Sequence, residues 1–198
     1  MEGELELVTD GAAEPVSTAD LKAHMKVDGS TEDAYIAGLE KAARRLVERL
    51  TGKRLIKQTW AYWLHAFPAC GEIVLPIGPV SAVTGVSTFD AANTEASFSA
   101  TNYFVDVKSQ RARVLLKAGA SWPCPADGLR VANGVKVAFE VGYGTAGTSV
   151  PAELIHAVKL LVAEWYAKRE ASAEASFNQI PFGIRALIAP YRTWGTVL

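Results

Sequence analysis

One stretch limits what this chain can fold into more than any other: Val150 to Glu170, VPAELIHAVKLLVAEWYAKRE. Leu154, Ile155, Val158, Leu161, Val162, Trp165 and Tyr166 recur at helical spacing and lay a wide apolar stripe along about five turns. Pro151 suits the start of a helix, where its missing N–H would have had no partner. Glu153 sits near the positive end of the helix dipole, and Lys168 and Arg169 near the negative end. A stripe with Trp and Tyr beside five aliphatic residues is too large to leave in water. The expectation is a central core helix with the rest of the chain packed around it.

Upstream, Met1 to Val16 reads as a mobile acidic arm. Ser17 opens a short helix through about Val27, with Asp20 completing a capping pattern. Asp28-Gly29 marks a turn, and Ser30 or Thr31 can cap a second helix. In that helix Ile36, Leu39, Ala43, Leu46 and Leu50 make one apolar face, closed by Gly52. From Lys53 the spacing changes to that of strands: Thr59 to Leu64, Ile73 to Leu75, Val83 to Phe89, Tyr103 to Val107, and Arg113 to Leu116. The clearest is Val135, Val137, Phe139, Val141, Tyr143, with a strict period of two. Breakers separate these runs at Ile77 to Pro79, Ala91 to Ala96, Ala118 to Gly128 and Gly142 to Thr148. Beyond the long helix, Ala171 to Asn178 is a connection of small residues. Pro181 to Ala189 is a further apolar helix, stopped by Pro190.

The fold class is therefore α+β: a small helical bundle with a β-rich antiparallel insertion between the second helix and the central helix. The expected organisation is an arm over 1–16, one domain over 17–192 and a tail over 191–198. Within the domain, helices occupy 17–52, the insertion 53–148 and further helices 149–190. A chain of 198 residues is long enough for one sizeable core, or for one core plus an insertion.

Composition then narrows the function. The chain is 49% hydrophobic and 21% charged, with net charge −1, so no global field draws it to nucleic acid or an anionic membrane. Glu2, Glu4, Glu6 and Asp10 are the reverse of a secretory leader, and no run approaches the roughly 20 apolar residues of a membrane span. The expected setting is soluble and intracellular. Cys70 and Cys124 are too few and too far apart for a metal site or disulfide framework. His24, His65 and His156 fall in different elements without ligand spacing. Gly142-Tyr-Gly-Thr-Ala-Gly147 resembles a dinucleotide loop only superficially, and its glycines read as turn residues. With no phosphate cradle and no nucleophile motif, no enzyme, cofactor or metal is expected. An unrecognised site in the β insertion is the residual alternative.

One charged run has two readings. Lys41, Arg44, Arg45, Arg49, Lys53, Arg54 and Lys57 make the second helix and its exit basic. It could contact DNA, which would make the chain a nucleic-acid-binding module. Alternatively it is a solvated face, since Glu40 and Glu48 are interspersed. A protein–protein surface stays open, with Arg44, Arg45, Arg49, Lys53 and Arg54 as candidate subunit-interface residues.

Four stretches in register then suggest a relationship: TGKRLIKQTW at 51–60, LPIGPVSAVTGV at 75–86, the long helix at 150–170, and IPFGIRALIAPYR at 180–192. In order and spacing the chain resembles the head–tail connector (adaptor) proteins of long-tailed bacteriophages, prophages and gene transfer agents, over roughly Ser17 to Arg192. The resemblance implies a structural protein of the virion or virus-like particle, assembled in the bacterial cytoplasm. Copies, commonly twelve, would form a ring beneath the portal and extend its DNA channel toward a stopper or tail-completion protein. A near-zero net charge fits a channel that DNA must pass without sticking. The resemblance also suggests that the C-terminal segment grips the portal. Phe182, Leu187, Pro190, Tyr191, Arg192, Trp194, Val197 and Leu198 are the candidate portal-binding residues, since Trp, Tyr and Arg dominate many interfaces. The alternative is that the tail folds back on its own core.

Overall fold

The computed structural model describes residues 3–168 and 181–193. They divide into two compact units: Met1–Gly11 with Lys57–Tyr143, and Ala12–Ile56 with Gly144–Leu198. The first is built from strands and the second from helices, so the chain is α+β, with its β-rich segment between the second and third helices.

The helical unit contains α1 (Thr18–Met25), α2 (Asp33–Thr51), α3 (Ala152–Ala167) and α4 (Phe182–Ile188). Ser17 caps α1 as expected, its Oγ accepting the Asp20 N–H at 3.0 Å. α2 starts differently: its cap is Glu32, which makes no side-chain bond to the helix, rather than Ser30 or Thr31. Gly52 closes α2 at φ 70, a left-handed conformation suited to glycine, and its N–H bonds the Glu48 carbonyl. α3 packs with α1, α2 and α4 and buries Leu154, Ala157, Val158, Leu161 and Val162. Trp165 and Tyr166 are only half-buried, although Tyr166 meets the Tyr35 ring and donates to Glu32 at the start of α2. α3 is thus central to the helical unit, while the strands bury a core of their own.

That second core lies between two antiparallel sheets. The larger has the order β1-β2-β8-β4-β5, from β1 (Glu4–Thr9), β2 (Gln58–Leu64), β4 (Val80–Phe89), β5 (Glu95–Phe98) and β8 (Val135–Val141). The smaller has the order β3-β7-β6, from β3 (Glu72–Val74), β6 (Tyr103–Asp106) and β7 (Arg113–Leu116). Tyr62, Leu64, Val86, Val135, Val137 and Phe139 of the larger sheet meet Ile73, Tyr103 and Val114 of the smaller in one buried cluster. The period-two reading of β8 holds: Val135, Val137, Phe139 and Val141 are buried, and Lys136, Ala138 and Glu140 are half-buried on the other face.

The N-terminal arm is a correction. Glu4–Thr9 is not mobile but forms β1, pairing with β2 from Glu4↔Trp63 to Thr9↔Thr59. Leu5 packs on the sheet core, and Glu6 accepts the Trp63 indole N–H at 2.7 Å. The expected breaker at Ala91–Ala96 is also partly strand, since β5 begins at Glu95. Among the described residues no helix is long and apolar enough to cross a membrane.

Candidate functional site

The basic run of α2 divides by burial. Arg44 is 2% exposed, a correction to its expected place on the surface. Its Nε donates to Glu14 at 2.7 Å and its Nη2 to the same carboxylate at 3.3 Å, a two-point grip. Its Nη1 lies 3.5 Å from Glu48, whose other oxygen accepts the Leu55 N–H at 2.9 Å. Burial raises the Glu48 pKa above the usual carboxylate range. Glu40, also 2% exposed, accepts the Val16 N–H at 3.1 Å, and burial pushes its pKa to about 7. These three side chains fix the chain where it enters α1 and leaves α2. They are structural.

Lys41, Arg45 and Arg49 face solvent. Lys53 and Arg54 are half-buried; desolvation lowers the Lys53 pKa, and Arg54 lies 3.5 Å from the Glu48 carbonyl. Of the five candidate interface residues, Arg45 and Arg49 alone remain on the open face of the helix.

The C-terminal candidates also separate. α4 buries Ile184 and Ile188, whereas Phe182 at its first turn is 87% exposed. Leu187 is half-buried and Pro190 exposed in the 3-10 turn Ala189–Tyr191. The Tyr191 hydroxyl donates to Glu153 at 2.8 Å, raising its own pKa. The Glu153 pKa is lowered, first by its own backbone N–H at the start of α3 and then by Tyr191. Arg192 is exposed, while Thr193 is buried and its N–H donates to the Thr51 carbonyl at 2.9 Å. The segment through Thr193 is therefore seated on α2 and α3, so any free tail cannot begin at Tyr191. Trp194, Val197 and Leu198 lie outside the described residues.

Other reactive side chains do not converge. His24 and His156 meet edge to face at 6.1 Å, a contact between α1 and α3 that spacing could not reveal. His65 accepts the Asn133 N–H at 3.1 Å. Among the described residues no group of three His, Cys, Asp or Glu could hold a metal ion. Cys70 and Cys124 are exposed free thiols. The Gly142–Gly147 run is a crowded turn: Gly142 has φ 127, and a Cβ on Gly147 would lie 1.9 Å from the Pro15 carbonyl oxygen.

Comparison with known proteins gives these surfaces a context. Residues 129–192, which carry β8, α3 and α4, match the family described as phage gp6-like head-tail connector protein. Among solved structures, a chain in the neck of an empty GTA particle, determined with C6 symmetry, is 29% identical with TM-score 0.80; the match covers 96% of this chain and 95% of that one. A chain in the virion of a native gene transfer agent (GTA) particle is 30% identical with TM-score 0.78, over 96% and 95%. Another, in the neck of a native GTA particle with C12 symmetry, is 30% identical with TM-score 0.76, over 98% and 96%. No curated protein matches the sequence. These likenesses define the class, a structural protein of a tailed particle. The chain belongs to the head–tail connector family of phages and gene transfer agents.

Proposed function

We propose that copies of this chain assemble as a ring at the head–tail junction, beneath the portal, and extend the DNA channel toward the next neck component. The observation that carries this reading is a likeness of 30% identity over 98% of the chain to a protein in a neck of twelve-fold symmetry. Residues 17–192 act as one connector subunit, with β1 added to its sheet. Twelve copies per particle is the expected number. The portal is the upper partner, and the groups that reach for it are Phe182 and the segment after Thr193. A stopper or tail-completion protein is the lower partner. The role is structural, without catalysis or cofactor, and DNA passes without specific binding. Burial of Arg44 supports that last point, because it shortens the cationic run open to phosphate.

Cryo-electron microscopy of the neck of particles carrying this chain tests the proposal. The expected map shows a twelve-membered ring of this fold between portal and tail. A neck lacking this chain, or a single copy off the axis, would overturn it.

A further inference from the structure

Rotational rings are built from heterologous contacts: one patch of each copy meets a different patch of the next. Two exposed patches of opposite charge, one on each compact unit, meet that requirement.

The first is β1. It ends the five-stranded sheet, so one of its edges has no strand partner among the described residues. Glu4 and Glu6, opposite Trp63 and Ala61, share one face of the strand and are both exposed. Residues two apart on a strand are about 6.6 Å apart. Leu7 and Val8 follow, 41% and 57% exposed.

The second patch is the open face of α2. Lys41, Arg45 and Arg49 stand at steps of four on one side, all exposed, and cations at that spacing are about 6 Å apart along the axis. Beside them toward the N-terminus lie Ala34, Gly38 and Ala42, also exposed. A Cβ built on Gly38 would meet nothing within 4 Å. The helix thus offers a low, uncluttered strip next to a cationic ridge.

We infer that the acidic edge strand β1 of one copy lies along the basic face of α2 in the next copy and helps to close the ring. Glu4 and Glu6 face the cations at nearly the same repeat, and the exposed Val8 has the small-residue strip to cover. A second copy is favoured over DNA because the complementary acids belong to the same chain, which gives both halves of a head-to-tail contact. The inference rests on the ring reading above, and its test separates the two.

Three variants are compared with the natural chain: Glu4→Lys with Glu6→Lys, Arg45→Glu with Arg49→Glu, and all four substitutions together. Each is checked for fold by circular dichroism, and ring formation is measured by native mass spectrometry and by yield of tailed particles. Each two-site reversal makes the facing patches alike in charge, so ring yield should fall about tenfold or more. The four-site variant, with the charges exchanged, should recover most of it, a result that loss of folding cannot imitate. Raising salt should weaken the natural ring and the exchanged ring alike. Two-site variants that form rings as well as the natural chain would overturn the pairing and leave the ring standing, as would failure of the exchange to rescue. A natural chain found in particles as a single copy would overturn the ring, and the pairing with it.

Discussion

Arg44 and Glu40 carry most of the physics at the scale of single residues. A buried arginine held by two carboxylates is a weak source of net stability, because desolvation offsets the attraction, yet removing one partner strands the others. Arg44→Ala should therefore cost about 3 kcal/mol, read as a lower urea midpoint at unchanged slope. An exposed neighbour such as Arg45→Ala should move the midpoint far less. Glu40 makes the protein sensitive to pH. Its folded pKa of about 7 lies above the unfolded value of 4.5, so the folded state holds a proton that the unfolded state releases. The stability from this group is complete below pH 4.5 and is lost as pH rises through 7. Glu40→Gln keeps an acceptor for the Val16 N–H and removes the charge. It should stabilise the protein at pH 8 by the order of 2 kcal/mol and flatten the decline between the two pKa values. Glu48, shifted the same way, should leave a residual slope. An unaltered pH profile in the variant would show that Glu40 is ionised at no cost.

Packing of one element on another explains the next set of constraints. Gly147 lies against the backbone at Pro15 and has no room for a side chain beyond hydrogen. Gly147→Ala must push backbone from backbone and should cost about 1–3 kcal/mol in chemical denaturation. Gly38→Ala, in open space on α2, should be neutral or slightly stabilising. These contrasts indicate what the sequence can and cannot reveal. β8 and α3 are legible because their periods are long and unbroken. The buried face of α2 is harder: Ile36, Glu40, Ala43, Val47 and Leu50 recur in steps of four and three, so Glu40 stands in apolar register. Charge made it look solvated, and only its distant partner Val16 reveals why it is tolerated inside. β1 left a signal too, since Glu4-Leu5-Glu6-Leu7 alternates with a period of two, but four acids near a terminus suggest a loose arm. β5, Glu95-Ala-Ser-Phe98, has no such pattern and is strand because β4 supplies its partners. Arg45 and Arg49 were identifiable as surface cations, whereas the burial of Arg44, next to Arg45 in the chain, depends on Glu14, thirty residues away.

At the scale of the whole molecule, the proposed function asks two things of the C-terminus, staying attached to its own subunit and reaching a partner. The seated part ends at Thr193, whose N–H bonds Thr51 at the end of α2, with Tyr191 on Glu153 at the start of α3. Phe182, 87% exposed, stands on the short helix that this segment completes. A portal-directed anchor would therefore combine a fixed aromatic with the residues that follow Thr193. Two truncations divide these roles. A chain ending at Thr193 keeps both seating bonds, so its melting temperature should stay within about 2 °C of the natural value while attachment to portal rings is lost. A chain ending at Pro190 also gives up the buried Thr193 contact and the Tyr191 packing. One buried hydrogen bond contributes about 1 kcal/mol, so its melting temperature should fall by at least about 3 °C. Phe182→Ala should leave stability nearly unchanged, because an exposed ring contributes little to the fold, and should weaken attachment. If the chain ending at Thr193 bound portal as tightly as the natural one, the last five residues would not be the anchor. If it lost the same stability as the chain ending at Pro190, they would instead be part of the subunit's own core.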